Sequence, residues 1–506
     1  MKNIFIILIA FLICTVVSCD EENLNLSPSK ETEISFFQTQ EGFEKGVMGV
    51  YQKLRTMYGH QQINMMGIWL LPDDNLTSLG SHACETFSSM SPDNGNVRDL
   101  YKYLYELIGR ANVMLAHLNT IEEGIFESDD LKNSITGEVL FLRGYANYFI
   151  WNFWGGAAPL VNERITSFDE IAPPSAGNNA LLDQAIADFK EAAELLPVNW
   201  AADQRGRATQ NSANGFLGKA LVFRGTVTQN HDDFIAALNA FNKISNVALA
   251  PMYQDNFSVF KENNVESLFE VQVSDRPIAT GVWSNDDNSS NGFTAGSWDF
   301  FNNGYFNWNN PRYLPTEALI DAYIPEDPRF DFSIVWSEKN QETQIGKYVT
   351  DNAFIFSRPE GKSLSINNPR LLRYADVILL KAECLVRTGG SLSEAISLIN
   401  EIRERARKSI DDGTVSIEPA DLPLSETDAQ KILEWIFYER RIELAAEESH
   451  RWFDIRRRHI AGEIDLRNWN FSSLKTDFNF TEKNIYLPLP AYELELNPNL
   501  VQNPGY

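Results

Sequence analysis

The segment with the most functional side chains is an aromatic and asparagine-rich stretch at residues 283–312. Its rings are Trp283, Phe293, Trp298, Phe300, Phe301, Tyr305, Phe306 and Trp308. Flat rings can stack on the C–H faces of sugars, while nearby amides and carboxylates bind the hydroxyls. A polar, glycine-rich stretch offers no helical stripe to bury so many rings, and loops commonly carry binding residues. We therefore predict a glycan site that uses Trp283, Trp298, Tyr305 and Trp308, although half of the rings could instead anchor the loop.

Motifs for covalent chemistry are missing from the sequence. It contains no HExxH, CxxC or GxSxG pattern, and the Gly361-Lys362-Ser363 triplet lacks the preceding glycine of a P-loop. Asp286, Asp287 and Asp299 could supply a glycosidase pair, but that requires two carboxyls about 5–9.5 Å apart, which a sequence cannot show. We expect no catalytic residues; a surface glycoside hydrolase or lyase is the alternative.

Metal-binding patterns are equally weak. Asp286-Asp287-Asn288 offers the hard oxygen ligands that Ca²⁺ prefers, but lacks the spacing and the glycine of an EF-hand. We therefore predict no cofactor and no metal site, with a structural Ca²⁺ at these residues as the alternative.

The N-terminus resembles that of a bacterial lipoprotein. Lys2 precedes an apolar run from Ile4 to Val17, shorter than the roughly 20 residues of a typical spanning helix. Apolar and small residues then lead into Cys19 as in a lipobox, and the acidic residues 20–22 resemble the surface-export signal of Bacteroidetes lipoproteins. The resemblance implies removal of residues 1–18, a lipid on Cys19 and a tether over 19–35. We expect a lipid-anchored, surface-exposed protein of the outer membrane; an ordinary secretory signal is the alternative.

Composition limits the classes of ligand that the protein can bind, and the positions of the cysteines indicate whether they form disulfides. The net charge of −26 argues against nucleic acid, whose phosphates are bound by clustered Lys and Arg, and weakly against strongly anionic glycans. Cys84 and Cys384 lie too far apart in the sequence to suggest a disulfide scaffold, and we expect them to remain unbridged.

Helical hairpins must position the aromatic segment. Apolar residues at helical spacing predict helices over 36–57, 97–118, 131–154, 180–196, 211–227, 232–245, 371–387 and 392–407. Hairpins of about 35 residues are typical of tetratricopeptide-like repeats, which must stack to bury their stripes. Residues 58–96 are predicted to form a loop, and residues 246–370 interrupt the repeats. We predict a mainly α fold of tetratricopeptide-like hairpins merged with a loop-rich, irregular insertion.

Four ordered stretches make the chain similar to the SusD/RagB family. They are Gly109-Arg110-Ala111-Asn112, residues 141–160, residues 373–383 and residues 439–457. The proline- and asparagine-punctuated tail at 487–506 also resembles the family ending, whereas Gly144 stands where Ala is more usual and Cys84 has no place in the pattern. The resemblance implies one SusD-like unit over 36–506, with repeats at about 36–245 and 371–448 and a ligand-binding insertion at about 246–370.

The same resemblance implies a function and a partner. It implies a non-enzymatic lipoprotein that captures an oligo- or polysaccharide and delivers it to a SusC-like TonB-dependent transporter. Peptide binding, or a pure scaffold role in the same system, is the alternative. In the family, the insertion and the loop after the first helix form the binding face, which makes Phe87 and Asn75 glycan candidates, together with Trp69, Asp73 and Asp74.

Charged residues within the motifs are expected to be structural. Arg373, Asp376 and Glu383 lie on an otherwise apolar predicted helix, as do Arg440 and Glu443 on another. Buried charges require partners, so we predict that these residues pair with one another and hold the repeats together.

Overall fold

The computed structural model describes residues 32–58, 63–78, 82–87, 90–273, 313–338, 341–348, 355–357, 363–365, 367–471 and 480–506. In these residues the chain is mainly helical. The N-terminal helices are α1 (Glu33–Phe36), α2 (Gln40–Met57), α3 (Ile63–Leu70), α4 (Ala83–Thr86), α5 (Gly95–Thr120), α6 (Asp129–Trp154), α7 (Ala180–Leu195), α8 (Gln210–Thr228) and α9 (His231–Phe241). The later helices are α10 (Glu317–Ile320), α11 (Arg329–Ser333), α12 (Tyr374–Arg387), α13 (Leu392–Arg407), α14 (Ala429–Glu443), α15 (His450–Ile460) and α16 (Ala491–Leu496).

The long helices have local start and stop signals. Ser128 caps α6 by accepting a hydrogen bond from the Leu131 amide, and Gly155 ends the helix with a φ of +59° that favours glycine. Ser391 caps α13 through the amide of Glu394. Successive helices from α5 to α9 pack on one another, as do α12 and α13, and α9 packs on α12 to join the two groups. The predicted helical hairpins and the mainly α class are therefore confirmed.

Short antiparallel strand pairs join distant segments. The strands are β1 (Leu76–Ser78), β2 (Ser267–Glu270), β3 (Tyr313–Pro315), β4 (Ile334–Ser337), β5 (Glu342–Ile345), β6 (Ile355–Ser357), β7 (Ser363–Ser365) and β8 (Arg370–Arg373). β1 pairs with β3, β2 with β8, β4 with β5, and β6 with β7. The β2–β8 pair joins the two ends of the inserted region 246–370, and the β1–β3 pair fastens its middle to the segment before α4.

Four sequence predictions of secondary structure were wrong in part. The helix predicted from 36 to 57 begins at Gln40, after the separate short helix α1. The predicted loop over 58–96 contains α3, β1 and α4, and the helix predicted from 232 to 245 ends at Phe241. Leu371 belongs to strand β8, although its spacing placed it on the following helix. Periodicity cannot reveal β8, because a strand is stabilised by its partner and β2 lies about a hundred residues earlier.

A continuous hydrophobic core runs from Phe36 to Leu500. A second cluster lies between α12, α13 and α14 and includes Ile378, Ile399 and Ile436. Cys84 and Cys384 are both buried and unbridged, as predicted. Among the described helices, none combines the length and apolar character that a bilayer-spanning segment requires.

Candidate functional site

The part of the insertion that carries the predicted glycan site, between Val273 and Tyr313, is held by the described chain on both sides. On its N-terminal side, the Val273 amide donates to Asn368 Oδ1 at 2.8 Å, just after the β2–β8 pair. On its C-terminal side, Tyr313 begins β3, which pairs with β1. The chain from 71 to 78 and the return of the insertion therefore lie side by side. Trp283, Trp298, Tyr305 and Trp308 themselves lie outside the described residues, as do Asp286, Asp287, Asn288, Asp299 and Cys19.

The segment before β1 is held in a tight turn. Asp73 Oδ1 accepts hydrogen bonds from the Asn75 amide at 2.9 Å and the Leu76 amide at 3.3 Å, a common role for aspartate in turns. Asn75 is fully buried, and its Oδ1 accepts from Arg441 Nε at 2.8 Å. Its carbonyl accepts from the Thr316 amide at 2.9 Å. These contacts join the turn to the residues that follow β3 and to α14.

Phe87 and Trp69 are also buried. Phe87 ends α4 with a φ of +55°, and its ring centroid lies 6.2 Å from that of Trp452. The Trp69 ring lies 5.6 Å from that of Tyr58. Glycan contact by Phe87 or Asn75 would require uncovering a side chain that now packs inside the fold. The described contacts of both residues are structural.

Asp74 anchors the same turn to the C-terminal helices. Its Oδ1 and Oδ2 accept from Arg451 Nε and Nη2 at 2.7 and 2.8 Å, and Oδ2 also accepts from Trp469 Nε1 at 3.1 Å. Burial alone would raise the pKa of Asp74, but the guanidiniums of Arg451 and Arg441 outweigh it and hold the pKa below its usual range. Asp74 is therefore a buried counter-ion.

An exposed tryptophan lies beside the point where the insertion returns. Trp336 lies on the β4–β5 hairpin, opposite Thr343, and 51% of its surface is exposed. The hairpin packs along β3 through β5. Large aromatic side chains are usually well buried, and the exposed Trp336 ring offers a flat apolar face to solvent. Trp336 is not among the residues predicted from the sequence, although a Trp in a short strand that leads into the polar turn 337–343 was a signal for it.

Buried charges join the inserted region to the helical repeats. Arg329 Nη1 lies 2.6 Å from Glu439 Oε1, and Lys347 Nζ lies 2.6 Å from Glu447 Oε1. Arg373 Nε lies 2.7 Å from the other oxygen of Glu447. This confirms the prediction that Arg373 is a structural ion-pair residue.

Glu443 lies at the centre of this network. It pairs with Arg329 at 3.1 Å, with Arg373 at 3.1 Å and with Arg405. Burial raises the pKa of Glu443, but its cationic partners outweigh burial and lower the pKa to about 2. The carboxylate is permanently ionised and fully enclosed, so it is unsuited to exchange protons with a bound substrate.

A second buried network surrounds Asp376. Its carboxylate lies 2.8 Å from Lys219 Nζ and 2.6 Å from Arg440 Nη1. From the sequence alone, we predict that His450 is a surface or capping residue, but in the structure it is buried, and its Nδ1 lies 3.1 Å from Lys219 Nζ. That prediction was wrong because α15 turns its first residue towards α8 and α12. Burial and the adjacent Lys219 charge lower the pKa of His450.

The described residues include no grouping of three or more His, Cys, Asp or Glu side chains that could hold a metal ion. The described part of the candidate face is therefore a corner formed by the Asp73 turn, β1, β3 and the Trp336 hairpin. The exposed Trp336 ring of this corner can supply stacking, whereas most side chains of the Asp73 turn, β1 and β3 are buried.

Comparisons with known proteins agree with this architecture. A family model described as the SusD family matches residues 339–506, and one described as starch-binding and associating with the outer membrane matches residues 22–221. SusD-like protein P2 of Formosa agariphila is 26% identical over 98% of this chain and 98% of its own.

Solved structures show the same fold. A SusD superfamily protein from Bacteroides vulgatus has a TM-score of 0.72 and 23% identity, covering 93% of this chain and 100% of that one. A laminarin-binding SusD-like protein has a TM-score of 0.70 and 22% identity, with the same shares covered.

Proposed function

Because the chain belongs to the SusD/RagB family, we propose that it is a surface lipoprotein that captures an oligo- or polysaccharide and passes it to a SusC-like TonB-dependent transporter. Capture uses ring stacking and hydrogen bonds, and no bond of the glycan is broken. The relatives support the ligand class, since one family model is described as starch-binding and one similar structure as laminarin-binding. The net charge of −26 favours a neutral glycan.

The observation that carries this proposal is Trp336. The exposed ring lies on a hairpin that packs beside β3, where the aromatic insertion rejoins the body. A rigid hairpin holds an aromatic face at low entropic cost, because tryptophan has only two side-chain torsions. We assign Trp336 to the glycan face together with Trp298 and Trp308 of the insertion.

Affinity gel electrophoresis of the soluble form, without residues 1–19, tests the proposal against neutral and anionic polysaccharides. We expect one glycan to retard migration without release of sugar. Trp336→Ala should weaken retardation about tenfold, and Trp298→Ala combined with Trp308→Ala should abolish it, because stacked rings dominate such contacts. Phe260→Ala, which removes an exposed ring elsewhere on the molecule, is the control.

Three other outcomes of these experiments would contradict the proposed function or its site. Sugar released during incubation would favour the hydrolase alternative. Unchanged retardation in the folded variants would contradict the site, and no retardation by any glycan would favour a peptide ligand or a scaffold role.

A further inference from the structure

A cavity lies between α2, the turn at residues 203–207 and the end of β2. Its volume is about 650 Å³, within the roughly 300–1,000 Å³ that small-molecule sites occupy. The Asp73 turn and the Trp336 hairpin do not contribute to its described walls. The cavity is therefore a different place on the molecule from the candidate glycan face.

Part of the cavity wall is apolar. It includes Leu54, Phe269 and Val271, which belong to the hydrophobic core, and Met48 of α2, which is exposed. The cavity thus reaches from the protein surface to the edge of the core. An apolar molecule in this place would remove the exposed Met48 surface from water, which favours binding.

Three polar residues of the wall already have partners. The Tyr51 hydroxyl and Arg207 Nε both donate to Glu138 Oε1, at 2.8 and 2.7 Å. Asn263 Nδ2 donates to Gln272 Oε1 at 2.9 Å, and Gln272 Nε2 donates to Asn263 Oδ1 at 3.1 Å. A ligand with many hydroxyls would have to break these bonds or leave its own hydroxyls unpaired, so the wall is ill suited to a sugar.

Gln52 of α2 differs from these residues. It lines the cavity and is only 8% exposed. Its Nε2 is buried and has no hydrogen-bond acceptor among the described residues. A buried donor without an acceptor is costly and uncommon in folded proteins. A ligand that places an acceptor beside Gln52 would remove this cost.

The rim of the cavity carries charges of both signs. Glu41 pairs with Lys45 at 2.6 Å, and both side chains are exposed. Asp203 and Arg205, from the turn on the opposite side, are also exposed. Because acidic and basic side chains lie together at this rim, it gives neither an anion nor a cation a clear advantage, which favours an uncharged ligand.

The turn that closes the cavity is held in place. Arg207 Cζ lies 3.8 Å from the centre of the Trp200 ring, and its Nη1 donates to Gln204 Oε1 at 3.0 Å. Gly206, with a φ of +97°, lies so near Gln272 that a Cβ would come within 2.3 Å of that side chain. A preformed wall lowers the entropic cost of binding a ligand.

We propose that this cavity binds an uncharged, largely apolar small molecule that carries one hydrogen-bond acceptor. The apolar body of the ligand lies against Met48 and Phe269, and its carbonyl or hydroxyl oxygen accepts a hydrogen bond from Gln52. The inference does not rest on the proposed function, because the cavity shares no residue with the assigned glycan face.

Fluorescence titration with prodan tests the cavity. Prodan is an uncharged naphthalene with one ketone oxygen, and its emission moves to shorter wavelengths in apolar surroundings. The protein is the soluble form without residues 1–19, which keeps every described residue. We expect saturable binding of one prodan per chain, and weaker binding of the same naphthalene without its ketone.

Two variants separate the amide from the apolar wall. Gln52→Met should weaken prodan binding about three- to tenfold, because one hydrogen bond is lost, and should leave binding of the ketone-free naphthalene unchanged. It should not lower the urea midpoint of the free protein, because the amide has no acceptor to lose. Met48→Glu places a charge on the apolar wall and should weaken binding of both probes at least tenfold. Phe260→Glu, at an exposed ring elsewhere, is the control.

Other results would overturn the proposal. Equal prodan affinity in Gln52→Met and the wild type, or an equal loss for both probes, would show that Gln52 does not bind the acceptor. Unchanged binding in Met48→Glu, or a loss in Phe260→Glu, would place the probe outside the cavity. The absence of saturable binding by either probe would contradict a small-molecule site.

Discussion

Glu448 is a buried acid without a cationic partner in hydrogen-bond contact among the described residues. Its Oε2 accepts from the Tyr58 hydroxyl at 2.6 Å, and that hydroxyl lies 2.6 Å from the Tyr145 hydroxyl. Burial raises the pKa of Glu448 to about 8, and the Tyr58 hydrogen bond and the Lys219 charge offset this only in part. The side chain is therefore protonated in the folded protein at neutral pH.

This raised pKa makes the free energy of unfolding depend on pH. The folded state keeps a proton that the unfolded chain, with a pKa of about 4.3, releases. The stabilising contribution is complete below that value and is lost as pH rises through about 8. Glu448→Gln keeps a neutral side chain, so urea unfolding at pH 5.5 and 8.5 should show a pH-dependent loss smaller by about 3 kcal/mol than in the wild type. The exposed Glu123→Gln should leave the loss unchanged, and an equal loss in Glu448→Gln would contradict the assignment.

The structural role of a single residue in the candidate site could be predicted where its hydrogen-bond partners lie nearby in the sequence. The turn at Asp73 follows from an aspartate whose side chain bonds amides two and three residues on. The burial of Asn75 was not predictable, because its partner Arg441 is 366 residues away. The burial of Asp74 and of His450 was not predictable either, because it depends on side chains from helices that are distant in the sequence.

Glycines set how closely the helices approach one another. A Cβ on Gly218 of α8 would lie 2.2 Å from Phe241 Cε1, and that ring is buried at the end of α9. Gly109 of α5 has no atom within 4 Å of the same position. The first glycine is required by packing, and the second is not.

We therefore expect opposite effects from two identical substitutions. Gly218→Ala should lower the free energy of unfolding by about 1–3 kcal/mol, because overpacking exceeds the gain in helix propensity. Gly109→Ala should raise it by up to about 1 kcal/mol, because only the propensity changes. Denaturant unfolding measures both, and destabilisation by Gly109→Ala would show that this position makes a contact the fold does not explain.

Elements were predictable in proportion to their length and regularity. α5 to α8 and α13 follow from apolar stripes and local caps, and their observed bounds lie within two residues of the predicted ones. α3 was missed because the residues around it are polar and glycine-rich, and its eight residues show almost no polar face. The short strands depend on partners from other parts of the chain, which no local pattern contains.

The C-terminal tail closes the whole molecule. Leu487 donates its amide to the carbonyl of Phe153 at 2.7 Å, and Trp154 Nε1 donates to the carbonyl of Pro488 at 2.9 Å. Asn503 Nδ2 is shared between the carbonyls of Trp154 at 3.0 Å and Leu487 at 2.8 Å. The last residues thus complete the end of α6.

Asn503→Ala tests this closure. It leaves two buried carbonyls without that donor, and we expect a loss of about 1–3 kcal/mol in the free energy of unfolding. Asn499→Ala, an exposed residue of the same tail, should cost less than about 1 kcal/mol because water replaces its bond. Equal effects of the two substitutions in denaturant unfolding would contradict the closing role of Asn503.

The bond from Trp154 to Pro488 spans 334 residues and has a consequence for biosynthesis. At about 5–20 residues per second, the ribosome finishes the tail roughly 15–70 s after α6 has emerged. During that interval the aromatic end of α6, with Trp151, Phe153 and Trp154, has nothing from the tail to cover it. A chain that lacks the tail therefore leaves the aromatic end of α6 exposed to solvent.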